Sequence, residues 1–212
     1  YVLNNQKGYK VAVIVNDIGE VNIDANLIEK GGSIVEKDSV VPLQNGCICC
    51  TLKTDLMEQI VSITKTQKFD YILIEASGIC EPVPIAQTIC VLDGSAEDQG
   101  LPAIVRLDNI VAVVDALRLV SEFGGGDKLL DENKGEEDIA NLLVQQIEFC
   151  NTILINKTDL VSPEELNKVK AVVKTLQPHA KIIETTKSQV ELSEILDTKL
   201  FDFEKVYGTA RW

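Results

Sequence analysis

Three of the chain's six cysteines stand within four residues, in Asn45-Gly46-Cys47-Ile48-Cys49-Cys50. Thiolates are soft ligands for zinc, copper(I) and similar metals. Side chains alternate along an extended segment, so Cys47 and Cys49 can place two sulfurs on one side. Behind them Leu52, Leu56, Ile60 and Ile63 recur at helical spacing, which predicts a helix over 52–67. The cysteines would then lie at or just before its N-terminus, where free N–H groups and the helix dipole favour anionic sulfur. Three sulfurs leave at least one coordination position open, which suits delivery or catalysis better than a closed structural site. Two other readings fit the same residues. Cys47 and Cys50 have the Cys-x-x-Cys spacing of thiol redox exchange, and cysteine is among the residue types most often buried in a core.

A second group is Asn156-Lys157-Thr158-Asp159. A carboxylate at Asp159 can accept from both N1–H and the 2-amino group of guanine, a donor pair no other standard base offers. Asn156 can bond the base edge and fix the loop, while the Lys157 stem can lie over the purine face. An ordinary strand-to-helix turn uses the same residue types. Glu75 and Gly78 form a third group. A carboxylate at a buried strand end can face the water shell of a magnesium ion, and Gly78 would let the backbone approach a terminal phosphate. A capping Glu beside a turn glycine reads equally well. Asp115 reads as a cap or strand-end residue, and His179, the sole histidine, as an exposed turn residue.

The elements that must carry these groups are short apolar runs alternating with helical patterns. Strands are expected at 10–16, 39–43, 69–75, 109–115, 152–156 and 180–184, those at 10–16 and 69–75 buried. Helices are expected at 52–67, 85–91, 139–149 and 190–196. A further one opens at Pro163, with Ser162 as N-cap and Glu165 completing a capping box. Residues 1–10 read as a helix end with Gly8 as its cap, and 124–137, with three consecutive glycines, as a mobile loop. This alternation predicts an α/β fold, a doubly wound, mainly parallel sheet with helices on both faces. Ligands of such sheets bind beyond the carboxyl ends of the strands, where Asn16, Glu75, Asp115 and Asn156 fall.

At 212 residues the chain fits a single domain, with 45% apolar and 25% charged residues. Its net charge of -13 argues against a nucleic-acid partner, and no apolar run is long enough to span a bilayer. Clustered cysteines plus the isolated Cys80, Cys90 and Cys150 read as reduced, cytoplasmic thiols.

Taken together, these residues resemble the CobW-type metallochaperone GTPases, relatives of UreG and HypB. The resemblance covers essentially the whole chain. It rests on KVAVIVNDIGEVNID (10–24), NGCICC (45–50), DYILIEASGICEP (70–82), IVAVVDA (110–116) and ILINKTDL (153–160). It implies a metal site at Cys47, Cys49 and Cys50, with Glu20 a neighbour from a nucleotide-sensitive loop. It implies that Glu75 and Gly78 belong to the magnesium- and phosphate-sensing segment, and Asn156, Lys157 and Asp159 to the guanine motif. The implied cofactors are GTP/GDP, Mg2+ and Zn2+ or Co2+; the implied partners are a client metalloprotein and, as an option, a second copy in a homodimer. Nucleotide state would reshape the loop that holds the thiolates, which requires a metal affinity that differs between nucleotide states. A thiolate module indifferent to nucleotide, and a thiol redox protein, stay open beside it.

One departure from the family is large. Its members begin with a strand and a Gly-x-x-Gly-x-Gly-Lys-Thr-Thr loop that cradles the phosphates, and no such element exists in the 212 residues. The chain therefore reads as one GTPase-like domain over 1–212, cut at the N-terminus and lacking the family's C-terminal domain. As written it is expected to have little or no GTPase activity and marginal stability.

Overall fold

The computed structural model describes residues 2, 8–15, 40–42, 51–76, 78, 80–94, 103–130 and 139–202. They belong to two compact units, Tyr1–Arg106 and Leu107–Trp212.

In the first unit the β-branched run of β1 (Val11–Val15) forms the centre of a parallel sheet of order β2-β1-β3. β2 (Val40–Pro42) lies on one side and β3 (Tyr71–Glu75) on the other. Val11, Ala12, Val13 and Ile14 are all buried, so both faces of β1 are covered, as a continuous apolar strand requires. Val15 is aligned with both Pro42 and Glu75, so the carboxyl ends of the three strands share one row. Helix α1 (Thr51–Thr66) starts directly after Cys50, where the spacing placed it. It buries Leu56, Ile60 and Ile63, each contributing about 2 kcal/mol. The Thr64 and Thr66 hydroxyls close its last turn on the carbonyls of Ile60, Val61 and Ile63. Helix α2 (Pro82–Cys90) begins three residues before the expected 85–91, because Pro82 supplies the φ of a first helical position.

The second unit repeats the plan as a parallel sheet of order β4-β5-β6. Its strands are β4 (Val111–Asp115), β5 (Thr152–Asn156) and β6 (Lys181–Glu184). Ile153, Ile155 and Val114 pack in one core with three helices. These are α3 (Ala116–Phe123), α4 (Ile139–Glu148) and α5 (Pro163–Leu176), which add Leu119 and Phe123, Val144 and Ile147, and Val169 and Val173. The capping box of α5 is complete. Ser162 Oγ accepts from the Glu165 N–H at 3.3 Å, and Glu165 Oε2 accepts from the Ser162 N–H at 2.8 Å.

The described residues correct four expectations. β3, read as buried, is only half-buried along Tyr71–Ile74, and Val113 of β4 is 60% exposed. Each is an edge strand of its three-stranded sheet. Helix α3 was not foreseen, although Ala116, Leu119 and Phe123 are buried at helical spacing behind the Asp115 N-cap. Instead of a mobile loop, Gly124–Leu129 form a 3-10 turn in which Gly125 and Gly126 are buried, and 131–137 of that expected loop lie outside the described residues. With φ of +63°, +76° and +103°, the three glycines curl the backbone against α5, where a Cβ on Gly126 would meet Val172 at 2.7 Å. Lys168 fastens the turn, its Nζ donating to the Gly124 carbonyl at 2.8 Å and to Asp127 Oδ2 at 2.6 Å. Over 190–196 only a short 3-10 turn, Leu192–Glu194, is present. The expected helix end before Gly8 lies outside the described residues. Among those residues no helix is long and apolar enough to cross a membrane.

Candidate nucleotide and metal site

At the carboxyl end of β5 the chain kinks, with Lys157 at φ 61°, ψ 33°. A left-handed backbone costs a non-glycine residue about 1–2 kcal/mol, so the surroundings must hold it. Asn156 Oδ1 accepts from the Ser188 N–H at 2.9 Å and from the Thr185 hydroxyl at 3.2 Å. The Thr185 carbonyl accepts from the Thr158 N–H at 3.3 Å and the Thr158 hydroxyl at 3.2 Å. The Leu160 N–H closes on the Lys157 carbonyl at 3.0 Å. Two loops, one after β5 and one after β6, are therefore stitched together through Asn156 and Thr185. Thr185 is buried and was not singled out from the sequence; the polar Thr185-Thr186 pair directly behind the apolar AKIIE run was the available signal.

Register places Asp115 opposite Asn156 on the neighbouring strand. Its two oxygens are divided. Oδ1 accepts the Arg118 N–H at 3.0 Å, capping α3, and Oδ2 takes the Lys157 ammonium at 2.5 Å. Burial works against its ionisation, but the hydrogen bonds from Lys157 and Arg118 and the Lys157 charge outweigh it and lower its pKa. Asp115, read from the sequence as a cap or a strand-end residue, is thus both, and also the ionic partner of the loop lysine. Asp159 is exposed, and among the described residues no hydrogen bond or ion pair engages its carboxylate. What the loop offers is an acceptor pair on Asp159, an alkyl stem on Lys157 and a neighbouring apolar side chain, Leu160, 55% exposed. That set suits the donor edge and the face of a planar base.

In the first unit Glu75 ends β3 in the row that contains Val15 and Pro42. Its carboxylate is exposed, with no hydrogen bond or ion pair among the described residues. Gly78 is exposed too, and an added Cβ would meet nothing within 4 Å. Cys47, Cys49, Cys50 and Glu20 lie outside the described residues, between β2 and α1 and after β1. The remaining cysteines read as packing residues. Burial, with help from the Glu81 charge, pushes the Cys80 thiol up to about 11. Burial and then Asp93 do the same at Cys90, also to about 11. Burial takes Cys150 to about 12, against a small opposing hydrogen bond from the Ala112 backbone. Such thiols stay protonated at neutral pH and make poor ligands or nucleophiles. Among the described residues no three His, Cys, Asp or Glu side chains are grouped to hold a metal. His179 is exposed, as its turn sequence implied.

A family model described as "CobW/HypB/UreG, nucleotide-binding domain" matches residues 1–184. Zinc-regulated GTPase metalloprotein activator 1 of Dictyostelium discoideum is 40% identical over 226 residues, covering 100% of this chain and 47% of that protein. The protein of the same name from Schizosaccharomyces pombe is 35% identical over 206 residues, 96% of this chain and 46% of the relative. Among solved structures, Zn(II)-bound YjiA GTPase from E. coli matches with a TM-score of 0.60 at 22% identity, covering 95% of this chain and 56% of that one. At that identity the likeness is one of fold, and it agrees with the parallel α/β architecture. The chain spans about half the length of the curated relatives it matches.

Proposed function

Because the chain belongs to the CobW/HypB/UreG family through its nucleotide-binding domain, we propose that it binds GTP and GDP for a metallochaperone GTPase. That GTPase delivers a thiolate-bound ion, zinc or cobalt, to a client metalloprotein. The observation that carries this reading is the braced loop after β5, with Asn156 and Lys157 engaged and Asp159 without a partner among the described residues. Asp159 accepts the two donors of guanine, Asn156 holds the loop, and the Lys157 stem lies against the purine. Glu75 is the carboxylate that would face the water shell of a bound Mg2+, and Gly78 the backbone point nearest a terminal phosphate. Cys47, Cys49 and Cys50, with Glu20 near them, are the ligands of the metal cargo. Glu75, exposed and without a partner among the described residues, suits a group that must change partners with nucleotide state.

Both units serve one nucleotide-binding domain in this reading, which the span of the family match across 1–184 supports. The partners are a guanine nucleotide and a client metalloprotein, and a homodimer is compatible with the same scheme. Reduced thiol ligands fit a cytoplasmic setting. The 212 residues contain no Gly-x-x-Gly-x-Gly-Lys-Thr-Thr element, so a polypeptide of these residues alone is expected to hydrolyse GTP slowly or not at all.

The test is Asp159→Asn. It exchanges an acceptor for a donor, so guanine nucleotides should bind about a hundredfold more weakly, as the loss of paired, charge-assisted hydrogen bonds implies. Xanthosine nucleotides, which carry a carbonyl at the 2-position, should gain. Equal binding of GDP by both proteins would remove the guanine site from this loop. For the metal half, Cys49→Ser should abolish tight zinc binding by the reduced protein; zinc binding insensitive to nucleotide would favour a plain thiolate module instead.

A further inference from the structure

The Lys157 ammonium has two carboxylates to choose from. Asp159 is two residues along the same loop, and Asp115 is on the next strand. Lys157 takes Asp115, and Asp159 is left exposed and unpaired among the described residues. The left-handed kink at Lys157 and the alignment of Asp115 with Asn156 both favour that choice. Were the lysine paired with Asp159 instead, the carboxylate would already have a donor and the base would have to displace it.

From this we infer that Asp115 is a specificity-determining positioning residue, which draws Lys157 away from Asp159 and so keeps that carboxylate open to guanine. Asp115 need not touch the nucleotide. The inference rests on the guanine reading of the loop and adds to it a residue on a different strand. Asp115 also fixes the path of the Lys157 methylenes, because the ammonium end is held at β4 while the backbone end is held at β5. The same carboxylate caps α3 through the Arg118 N–H. The two tasks can be separated, since Asn is as good an N-cap as Asp but does not attract an ammonium as a charge does.

The experiment compares GDP with IDP, whose inosine base lacks the 2-amino group, by competition against a fluorescent GDP. In Asp115→Asn, preference for GDP over IDP should fall about fivefold, the range that one half-exposed ion pair can supply. Thermal stability should stay close to that of the unmutated protein. Adding Lys157→Met removes the competing ammonium, so the double variant should recover the preference. A merely structural Asp115 would not be rescued in this way. Unchanged preference in Asp115→Asn, or a double variant no better than the single, overturns the inference. An unmutated protein with no preference for GDP over IDP sinks the guanine reading itself. The Lys157 Cε resonance of the nucleotide-free protein then decides the latch, which an identical shift in Asp115→Asn would exclude.

Discussion

The turn after β5 and the turn after β3 both leave the carboxyl end of a parallel strand, yet they are built differently. Asn156, Lys157 and Thr158 are each bonded to another element, while Asp159 has no partner among the described residues. Glu75 has no such tie among the described residues, and a Cβ added at Gly78 would meet nothing within 4 Å. A loop that recognises a base gains from being set in advance, since ordering it on binding would cost affinity. A segment that reports the presence of a phosphate must have somewhere to move. The contrast matches the roles proposed for the two turns.

Glycine substitutions sharpen it most. Gly126→Ala places a Cβ 2.7 Å from Val172 at a φ of +103° and should cost about 3 kcal/mol in urea unfolding. Gly78→Ala meets no neighbour and should change stability by less than about 0.5 kcal/mol, any effect falling on nucleotide turnover. A large loss at Gly78 would mean the turn after β3 is as constrained as the glycine turn.

Next come the strand-end polar residues. Asn156→Ala leaves the Ser188 N–H without its acceptor and the Thr185 hydroxyl with only the Ile155 carbonyl, at 3.4 Å, and should cost about 2 kcal/mol. Glu75→Gln should be neutral to unfolding because the group is exposed. In the proposed scheme, and in a protein that also carries the phosphate loop, it would slow GTP hydrolysis about tenfold while leaving GDP affinity intact. Equal stability losses at the two positions would erase the distinction.

The smallest effect is on acid stability. The folded pKa of Asp115 lies below its ordinary 3.8, so its contribution is fully present above that value. It is lost as pH falls through the depressed folded value. Glu165, lowered by hydrogen bonds from the Ser162 backbone and hydroxyl, behaves alike at the start of α5. Urea midpoints should therefore hold from neutral pH to about 5 and decline below it, the decline being shallower in Asp115→Asn. A midpoint that rises on acidification would contradict the assignment.

Most of the fold was legible because its strands are near-continuous apolar runs, and β5 appears at the residues its TILIN run marked. The capping box at Ser162 and Glu165 was legible because it depends on four adjacent residues. Helix α3 was missed because it follows β4 with no intervening turn, its N-cap being the last strand residue. The glycine turn was misread because glycine marks equally a free loop and a backbone that must pass close to a neighbour; only Val172 and Lys168, more than forty residues away, decide which. At the site, Asn156, Lys157 and Asp159 were legible from their tetrapeptide. Thr185 and the ionic role of Asp115 were not, since both depend on strand alignment.

The most direct measurement is amide hydrogen exchange on the protein without nucleotide, with GDP and with a non-hydrolysable GTP analogue. The amides of Thr158, Leu160 and Ser188 should be protected before any nucleotide is added and change little afterwards. Those following Glu75 should gain protection with the triphosphate analogue and not with GDP. Fast exchange at Thr158, Leu160 and Ser188 in the nucleotide-free protein would contradict a preset base-recognition loop, and an identical response of both turns to GDP would contradict the division of roles.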